Sequence, residues 1–328
     1  MRIAFVYYAS LSSFIKRDYE IICRAHEVEE VNFSCPGDAV KLMKAVAKCD
    51  LALIWFAGGH AFVAVLLSKL LRKKSVIIVG GFDVARVPEI NYGRFTQSWT
   101  KKFLTKSALQ YADRVLVVDP SLKEDAIKNA GIDGHNIDYL PTGYDYNKFV
   151  PGQAKENLVI TVGYVSHSVI KRKGFDTFVR AASLLPDTKF LLIGKLIDDS
   201  ADSLKESAPN NIEFTGFVTD EELLGYYQRS KVYCQLSAYE GLPNALCEAM
   251  LCECIPVGTD RNGIPTAMGD TGFIVPFGDA IATSKAIANA LEEPMERGQK
   301  ARERIRNLFP EMRRESGLLQ AIEEVASK

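Results

Sequence analysis

Residues 231–258, KVYCQLSAYEGLPNALCEAMLCECIPVG, decide the fold. Positions 232–236 are a short apolar run with β-branched and aromatic members, which predicts a strand. Ser237 to Gly241 form a polar, glycine-bearing loop. Pro243 suits the first position of a helix, where its missing N–H costs nothing, and that helix runs to about Cys252. A further strand starts at Ile255. On the helix, Asn244 and Glu248 share a face, while Leu246 and Met250 point the other way, toward a sheet. Glu240 stands just ahead of a helix start whose free N–H groups suit an anion. The pattern allows two readings: a site with two carboxylates, or a plain sheet crossover with two solvated glutamates.

Outward from this stretch, strand and helix signals alternate along the whole chain. In the first half, strands are predicted over 3–8, 27–33, 51–56, 76–80, 115–118 and 137–140. Helices are predicted over 13–24, 38–48, 61–71, 94–111 and 120–129. Such alternation means a parallel sheet covered on both faces, with ligands at the carboxyl ends of the strands. The residues after each strand are therefore the candidates. Ala9, Ser10, Leu11, Ser12 and Ser13 form a small-residue loop that suits close approach to a ligand. The absence of both G-x-G-x-x-G and a P-loop disfavours a dinucleotide dehydrogenase or a P-loop enzyme. His60, after Gly58-Gly59, is placed at a helix start that lowers its proton affinity; it is a ligand contact or a packing residue. Asp83, after Gly80-Gly81, either accepts from a sugar hydroxyl or holds the irregular loop that follows.

The Pro- and Gly-rich stretch 140–153 is a linker between two domains that would face each other across a cleft. Beyond it, a strand at 158–163 precedes a loop at 164–172, and Phe175, Phe178, Val179, Ala182 and Leu185 mark a helical stripe. Lys171, Arg172 and Lys173 stand ahead of that helix, against its dipole, which makes sense if they share an anion such as a diphosphate. A solvated basic triplet is the other reading. Asn262, Gly263, Ile264 and Pro265 are predicted as a turn, and the last helix, 311–325, has no strand after it.

Composition limits the classes. A net charge of −1 gives no general nucleic-acid signature, although residues 1–150 carry 20 Lys and Arg against 16 Asp and Glu. The odd number of cysteines, seven, and the absence of an export signal suggest a reducing cytoplasm. Cys234, Cys247, Cys252 and Cys254 contain no Cys-x-x-Cys pair and are expected as buried small hydrophobes rather than metal ligands.

The segments VGYVSHSVIKRKGFDTFVRAASLLPDTKFLLIG, the stretch from NIEFTGF through the opening motif to GTDRNGIP, and TGFIVPFGD resemble the retaining family-4 glycosyltransferases (glycosyl transferases group 1), which have the GT-B fold. Together they cover most of residues 158–280, and Glu240 and Glu248 form the Glu-x7-Glu pair. The resemblance implies two Rossmann-like doubly wound α/β domains, at 1–148 and 149–308, with a final helix over 309–328 returning to the first domain.

The same resemblance implies roles for individual residues. Glu248 would bind the ribose, and Glu240 the donor sugar. The backbone of Gly241, Leu242, Pro243, Asn244 and Ala245 would hold the sugar and diphosphate. Lys173, with Arg172 or Lys171 as a second cation, would neutralise the leaving diphosphate. Gly163 closes the first strand of this domain, and the turn after Gly194 together with Phe217 and Val218 would hold the base. Asp83 would stand where many members carry a histidine. Tyr164 replaces the family arginine, and Asn262-Gly263-Ile264-Pro265-Thr266 replaces the GGxPE turn.

The reaction implied is hexose transfer from a UDP-, GDP- or ADP-sugar to an acceptor hydroxyl, with retention of configuration and without metal or other cofactor. The acceptor would be a glycan, glycolipid or small molecule, lipid-linked or phosphorylated among the options. The protein would be cytoplasmic, with weak peripheral contact at the inner membrane face through its first domain. The rivals are a sugar-nucleotide-binding protein without turnover and an epimerase of related fold.

Overall fold

The structure is a computed structural model that describes residues 1–8 and 11–327. Ala9 and Ser10, and with them the centre of the small-residue loop after the first strand, lie outside the described residues. The chain divides into two compact units, one of Met1–Gly143 with Glu311–Lys328 and one of Tyr144–Pro310.

The first unit contains strands β1 (Arg2–Tyr7), β2 (Glu27–Asn32), β3 (Leu51–Trp55), β4 (Lys74–Val79), β5 (Arg114–Val117) and β6 (Ile137–Tyr139). Its helices are α1 (Ser13–Ala25), α2 (Ala39–Lys48), α3 (Gly59–Leu70), α4 (Trp99–Tyr111) and α5 (Pro120–Asp125), the last continued by a π turn. All pairings are parallel, in the order β2-β1-β3-β4-β5-β6. β3 and β4 are almost wholly buried, because helices cover both faces. The predicted helix over 94–111 is in fact a 3-10 turn, Arg94–Thr96, followed by α4.

The second unit contains β7 (Glu156–Val162), α6 (His167–Lys173), α7 (Phe175–Ser183), β8 (Lys189–Ile193), α8 (Ser200–Glu206), β9 (Ile212–Gly216), α9 (Asp220–Arg229) and β10 (Ser230–Gln235). It continues with α10 (Asn244–Leu251), β11 (Ile255–Thr259), α11 (Gly263–Met268), β12 (Phe273–Val275), α12 (Ala280–Glu292) and α13 (Met295–Leu308). Its sheet is parallel in the order β12-β11-β10-β7-β8-β9. Phe175, Phe178, Phe190, Val232, Cys234 and Ile287 sit in its core. Cys247, Cys252 and Cys254 are buried as well.

The final helix, α14 (Glu311–Ala326), belongs to the first unit. It is held there by Arg314, which is 1% exposed and donates to both carboxylate oxygens of the equally buried Asp18 at 2.9 and 2.5 Å. A third donation goes to the Leu140 carbonyl. A bidentate pair satisfied on this scale is what allows a guanidinium to be buried.

Candidate active site

Strand order determines which loops meet. In the second unit the order reverses direction between β7 and β10, and the crevice at the carboxyl ends of such a pair is where open α/β sheets bind ligands. Gly163 follows β7, and the loop carrying Glu240 follows β10.

α6 is a correction to the sequence reading, which made 164–172 a loop and set the three cations against a helix dipole. Gly174, at φ +68°, ends α6 in the left-handed conformation and its N–H closes back on Ile170 and Lys171 carbonyls. Lys171, Arg172 and Lys173 thus occupy the last turn of α6, the end where cations are favoured. A Cβ at Gly174 would lie 2.2 Å from the Leu236 carbonyl oxygen, and the Ala238 N–H donates to the Arg172 carbonyl at 2.7 Å. The end of α6 is therefore fastened to the β10 loop.

That fastening brings Lys173 Nζ to 2.7 Å and Arg172 Nη1 to 3.4 Å from Glu240 Oε1. All three side chains are only 15–18% exposed. The same oxygen accepts from Ser237 Oγ at 2.8 Å and Gln235 Nε2 at 3.2 Å. Burial works to raise the Glu240 carboxyl, but the charges of Lys173 and Arg172 and the hydrogen bonds of Lys173 and Ser237 outweigh it and hold the group below its ordinary value. The carboxylate is ionised at neutral pH. Lys171 points to solvent.

Gln235 and Ser237, both fully buried, are site residues that the sequence reading missed. Gln235 also bonds Ser237, and its Oε1 accepts from the buried Tyr233 hydroxyl at 3.2 Å. The Ser-x-x-Glu spacing of Ser237 and Glu240 was the available signal. Glu248, half-buried on α10, accepts from the Tyr227 hydroxyl at 3.4 Å. Burial pushes the phenols of Tyr227 and Tyr233 well above their ordinary value, so both remain donors.

Pro243 precedes α10 rather than opening it, with an extended ψ of 108°. The first helical N–H groups are those of Asn244 and Ala245. The Asn244 side chain accepts from the Tyr144 hydroxyl at 2.9 Å. Gly241 and Leu242 are buried, and Gly263 presses on them: a Cβ there would stand 1.7 Å from the Gly241 carbonyl oxygen. The predicted turn at 262–265 is the start of α11, whose Pro265 falls in the first turn, where a helix tolerates it.

Gly163, Gly194 and Gly216 lie side by side at the ends of β7, β8 and β9. The Gly194 N–H donates to the Gly216 carbonyl, and a Cβ at Gly194 would lie 2.2 Å from the Gly163 carbonyl oxygen. Phe217, 71% exposed, and the half-buried Val218 follow this row. Tyr164, after Gly163, is 64% exposed.

Asp83 stands in the first unit, 1% exposed, and its two oxygens accept from the Ala57 and Gly81 N–H groups at 3.0 and 2.9 Å. That is the loop-holding geometry of its two readings. His60 is also buried, with Nε2 2.9 Å from the Trp55 carbonyl and Tyr8 stacked on the ring. Desolvation lowers its pKa, the direction expected from sequence.

Residues 147–308 match the family model of the glycosyl transferases group 1. The second unit is a group 1 glycosyl transferase domain. The chain is 29% identical over 160 residues to alpha-galactosylglucosyldiacylglycerol synthase of Streptococcus pneumoniae, covering 43% of this chain and 42% of that protein. It is 24% identical over 306 residues, 83% of this chain and 82% of the other, to a Campylobacter jejuni N-acetylgalactosaminyltransferase named for an undecaprenol-diphosphate glycan. The chain spans about half the length of most of the curated relatives it matches. Among solved structures, Anabaena HepE in complex with UDP superposes with a TM-score of 0.83 at 15% identity, over 99% of this chain and 100% of that one. The two units and the returning α14 are those of the GT-B fold.

Proposed function

We propose that the protein is a retaining glycosyltransferase that moves a hexose from a nucleoside-diphosphate sugar to an acceptor hydroxyl. The observation that carries this reading is the convergence of Lys173, Arg172 and Glu240 at the β7/β10 switch point. Expelling a diphosphate demands positive charge where negative charge develops, in a place shielded from bulk water. Two cations on a rigid helix end supply it without a metal. Glu240 orients sugar hydroxyls, Glu248 anchors the ribose, and the glycines at 163, 194 and 216 leave backbone room for the base. Asp83 and the loop it holds are assigned to the acceptor side. The leaving phosphate takes the acceptor proton in a same-face attack.

HepE was solved with UDP and with UDP-glucose, which makes UDP-sugars the first donors to try. Relatives named for diacylglycerol and undecaprenol acceptors make a lipid-linked hydroxyl the first acceptor. The test is turnover across UDP-, GDP- and ADP-sugars, with and without EDTA, for wild type and Lys173→Ala. The reading requires transfer that survives EDTA and falls at least a hundredfold in the variant, the loss of one transition-state charge contact. Near-wild-type turnover of Lys173→Ala would sink the site assignment. Tyr164, standing at the family arginine position, is what favours the rival of binding without turnover. Donor binding with no transfer to any acceptor would decide for it.

A further inference from the structure

Tyr227 stands on α9 with no exposed surface, and a hydroxyl in such a place is tolerated only with a partner. Its hydrogen bond goes to Glu248 Oε2 on α10, at 3.4 Å. The tyrosine is held on several sides. Its ring packs against Phe149 and Tyr233, with centroids 6.5 and 6.1 Å away. Its backbone carbonyl accepts from Lys155 Nζ at 2.9 Å and from Cys254 Sγ at 3.2 Å. The donor is therefore rigid and the acceptor is not, since Glu248 is a half-buried, rotamer-rich side chain.

Tyr233, on β10, is equally buried, and its hydroxyl leads to the other glutamate. It donates to Gln235 Oε1, which turns Gln235 Nε2 toward Glu240 at 3.2 Å. Two tyrosines in ring contact thus serve two different carboxylates. Phenylalanine would fill either volume and bring no hydroxyl to satisfy, so packing alone does not account for the phenols.

We propose that Tyr227 is a positioning residue for ribose recognition: it holds the Glu248 carboxylate in an orientation that accepts from both ribose hydroxyls, and so makes the protein select ribonucleotides over their dideoxy forms. The inference rests on the transferase reading, which gives Glu248 the ribose, and adds the residue that aims it. An ionised carboxylate only accepts, and its two oxygens offer about four lone-pair sites. The phenol takes one of these on Oε2, which leaves Oε1 and the rest of Oε2 for two ribose donors. Burial keeps the phenol protonated, so the donation persists at neutral and mildly basic pH. A glutamate ordered only on binding loses affinity that one ordered beforehand retains, and ordering a side chain of this kind is worth about tenfold.

The probes are UDP, GDP and ADP, each beside its dideoxyribose form, titrated calorimetrically into the full chain. Two hydrogen bonds to a charged acceptor, at about tenfold each, should make wild type bind the ribonucleotide about a hundredfold more tightly than the dideoxy form. Tyr227→Phe should weaken the ribonucleotide about tenfold and leave the dideoxy form within about twofold, so that the ratio falls to about tenfold. Tyr233→Phe, which acts on Glu240, should leave the ratio near its wild-type value. Glu248→Ala should bring the ratio close to unity, and Tyr227→Phe added to it should lower affinity no further, because the tyrosine acts through that carboxylate. An unchanged ratio in Tyr227→Phe, equal weakening of both forms, or a further loss in the double variant overturns the proposal while the transferase reading stands. Wild type that binds ribose and dideoxyribose forms alike overturns the ribose role of Glu248 and the proposal with it. Wild type that binds none of the three nucleotides overturns the proposal and the transferase reading together.

Discussion

Replacing Glu240 by glutamine separates the two tasks that its position implies. The amide keeps the volume and an acceptor for Ser237 and Gln235, and removes only the charge. In the wild type, Oε1 lies 2.7 Å from Lys173 Nζ and 3.4 Å from Arg172 Nη1. At an effective dielectric of ~20, contacts of this length are attractions of about 5–6 kcal/mol each before desolvation. Desolvation offsets most of that, and breaking one partner of a buried pair typically costs 3–5 kcal/mol, because the remaining charge is stranded. The site keeps some solvent access, so the lower end applies. Ligand-free Glu240→Gln should lose about 3 kcal/mol, a fall in Tm of roughly 6–12 °C for a domain of this size.

A nucleoside diphosphate should then bind the variant better than the wild type. On the proposed assignment, incoming phosphates would share Lys173 and Arg172 with a carboxylate already in place. Removing that competitor is worth about 1–2 kcal/mol across the distance of a neighbouring charge, or roughly five- to thirtyfold in Kd. At fixed saturating nucleotide, a tenfold lower Kd adds about 1.4 kcal/mol of stabilisation. Tm should therefore rise several degrees further in the variant than in the wild type on adding UDP or GDP, while sugar transfer falls. Thermal unfolding across a nucleotide titration, with calorimetric Kd values, measures both. Equal Tm values without nucleotide, or the same nucleotide-induced rise in both proteins, would refute Glu240 as the resident counter-ion of these cations.

Ser237→Ala with Gln235→Leu removes two donors from Oε1 and should lower kcat/KM by about tenfold, equivalent to about 1–1.5 kcal/mol of hydrogen bonding, while nucleotide Kd changes little; steady-state kinetics beside calorimetry makes the comparison. Gly263→Ala drives a Cβ into the Gly241 carbonyl and should cost about 1–3 kcal/mol and weaken nucleotide binding, checked by urea unfolding and titration. Arg314→Met strands the buried Asp18 and should destabilise the first unit by about 3–5 kcal/mol, with Asp18→Asn in the same chain restoring part of it in urea unfolding. Burial holds the folded His60 pKa below 6.5, so between the two values the unfolded chain binds more protons and stability rises with pH. The penalty is absent above about pH 6.5 and grows as pH falls; His60→Gln should flatten that slope in urea midpoints taken from pH 7 to pH 5.

The alternation of strands and helices was legible because two-sided burial writes itself into the chain as short β-branched runs between amphipathic stripes. Most boundaries moved by a residue or two, at ends where fraying and capping rather than hydrophobic pattern decide; the start of α4 moved further, from 94 to Trp99. What sequence hid were the short helices. α6 is seven residues with Val169 and Ile170 as its apolar members, too brief for a stripe, and its stop signal is a glycine whose left-handed φ is set by packing against Leu236. α11, with a proline inside six residues, carried a turn's composition. Asp83 was ambiguous for another reason: a carboxylate after two glycines suits a ligand and a loop equally, and only the two backbone N–H groups it meets distinguish the roles.

In the candidate site Lys173, Arg172 and Glu240 were legible as residues, Gln235 and Ser237 were not, and the arrangement of all five was illegible. Lys173 and Glu240 are 67 positions apart, and no spacing rule relates them; they meet because β7 and β10 are neighbours in the sheet and because the Ala238 N–H ties α6 to the β10 loop. Without strand order, the three basic residues looked like an anion site waiting for its ligand. With it, they are a site whose charge is partly balanced in advance. Two cations held this close in a half-buried place would repel each other and resist folding, so a carboxylate between them stabilises the ligand-free protein. On the proposed function, the same carboxylate would become available to sugar hydroxyls once phosphate draws the cations off. A single residue can then serve stability before binding and orientation after it, which is why removing its charge is expected to move stability and nucleotide affinity in opposite directions.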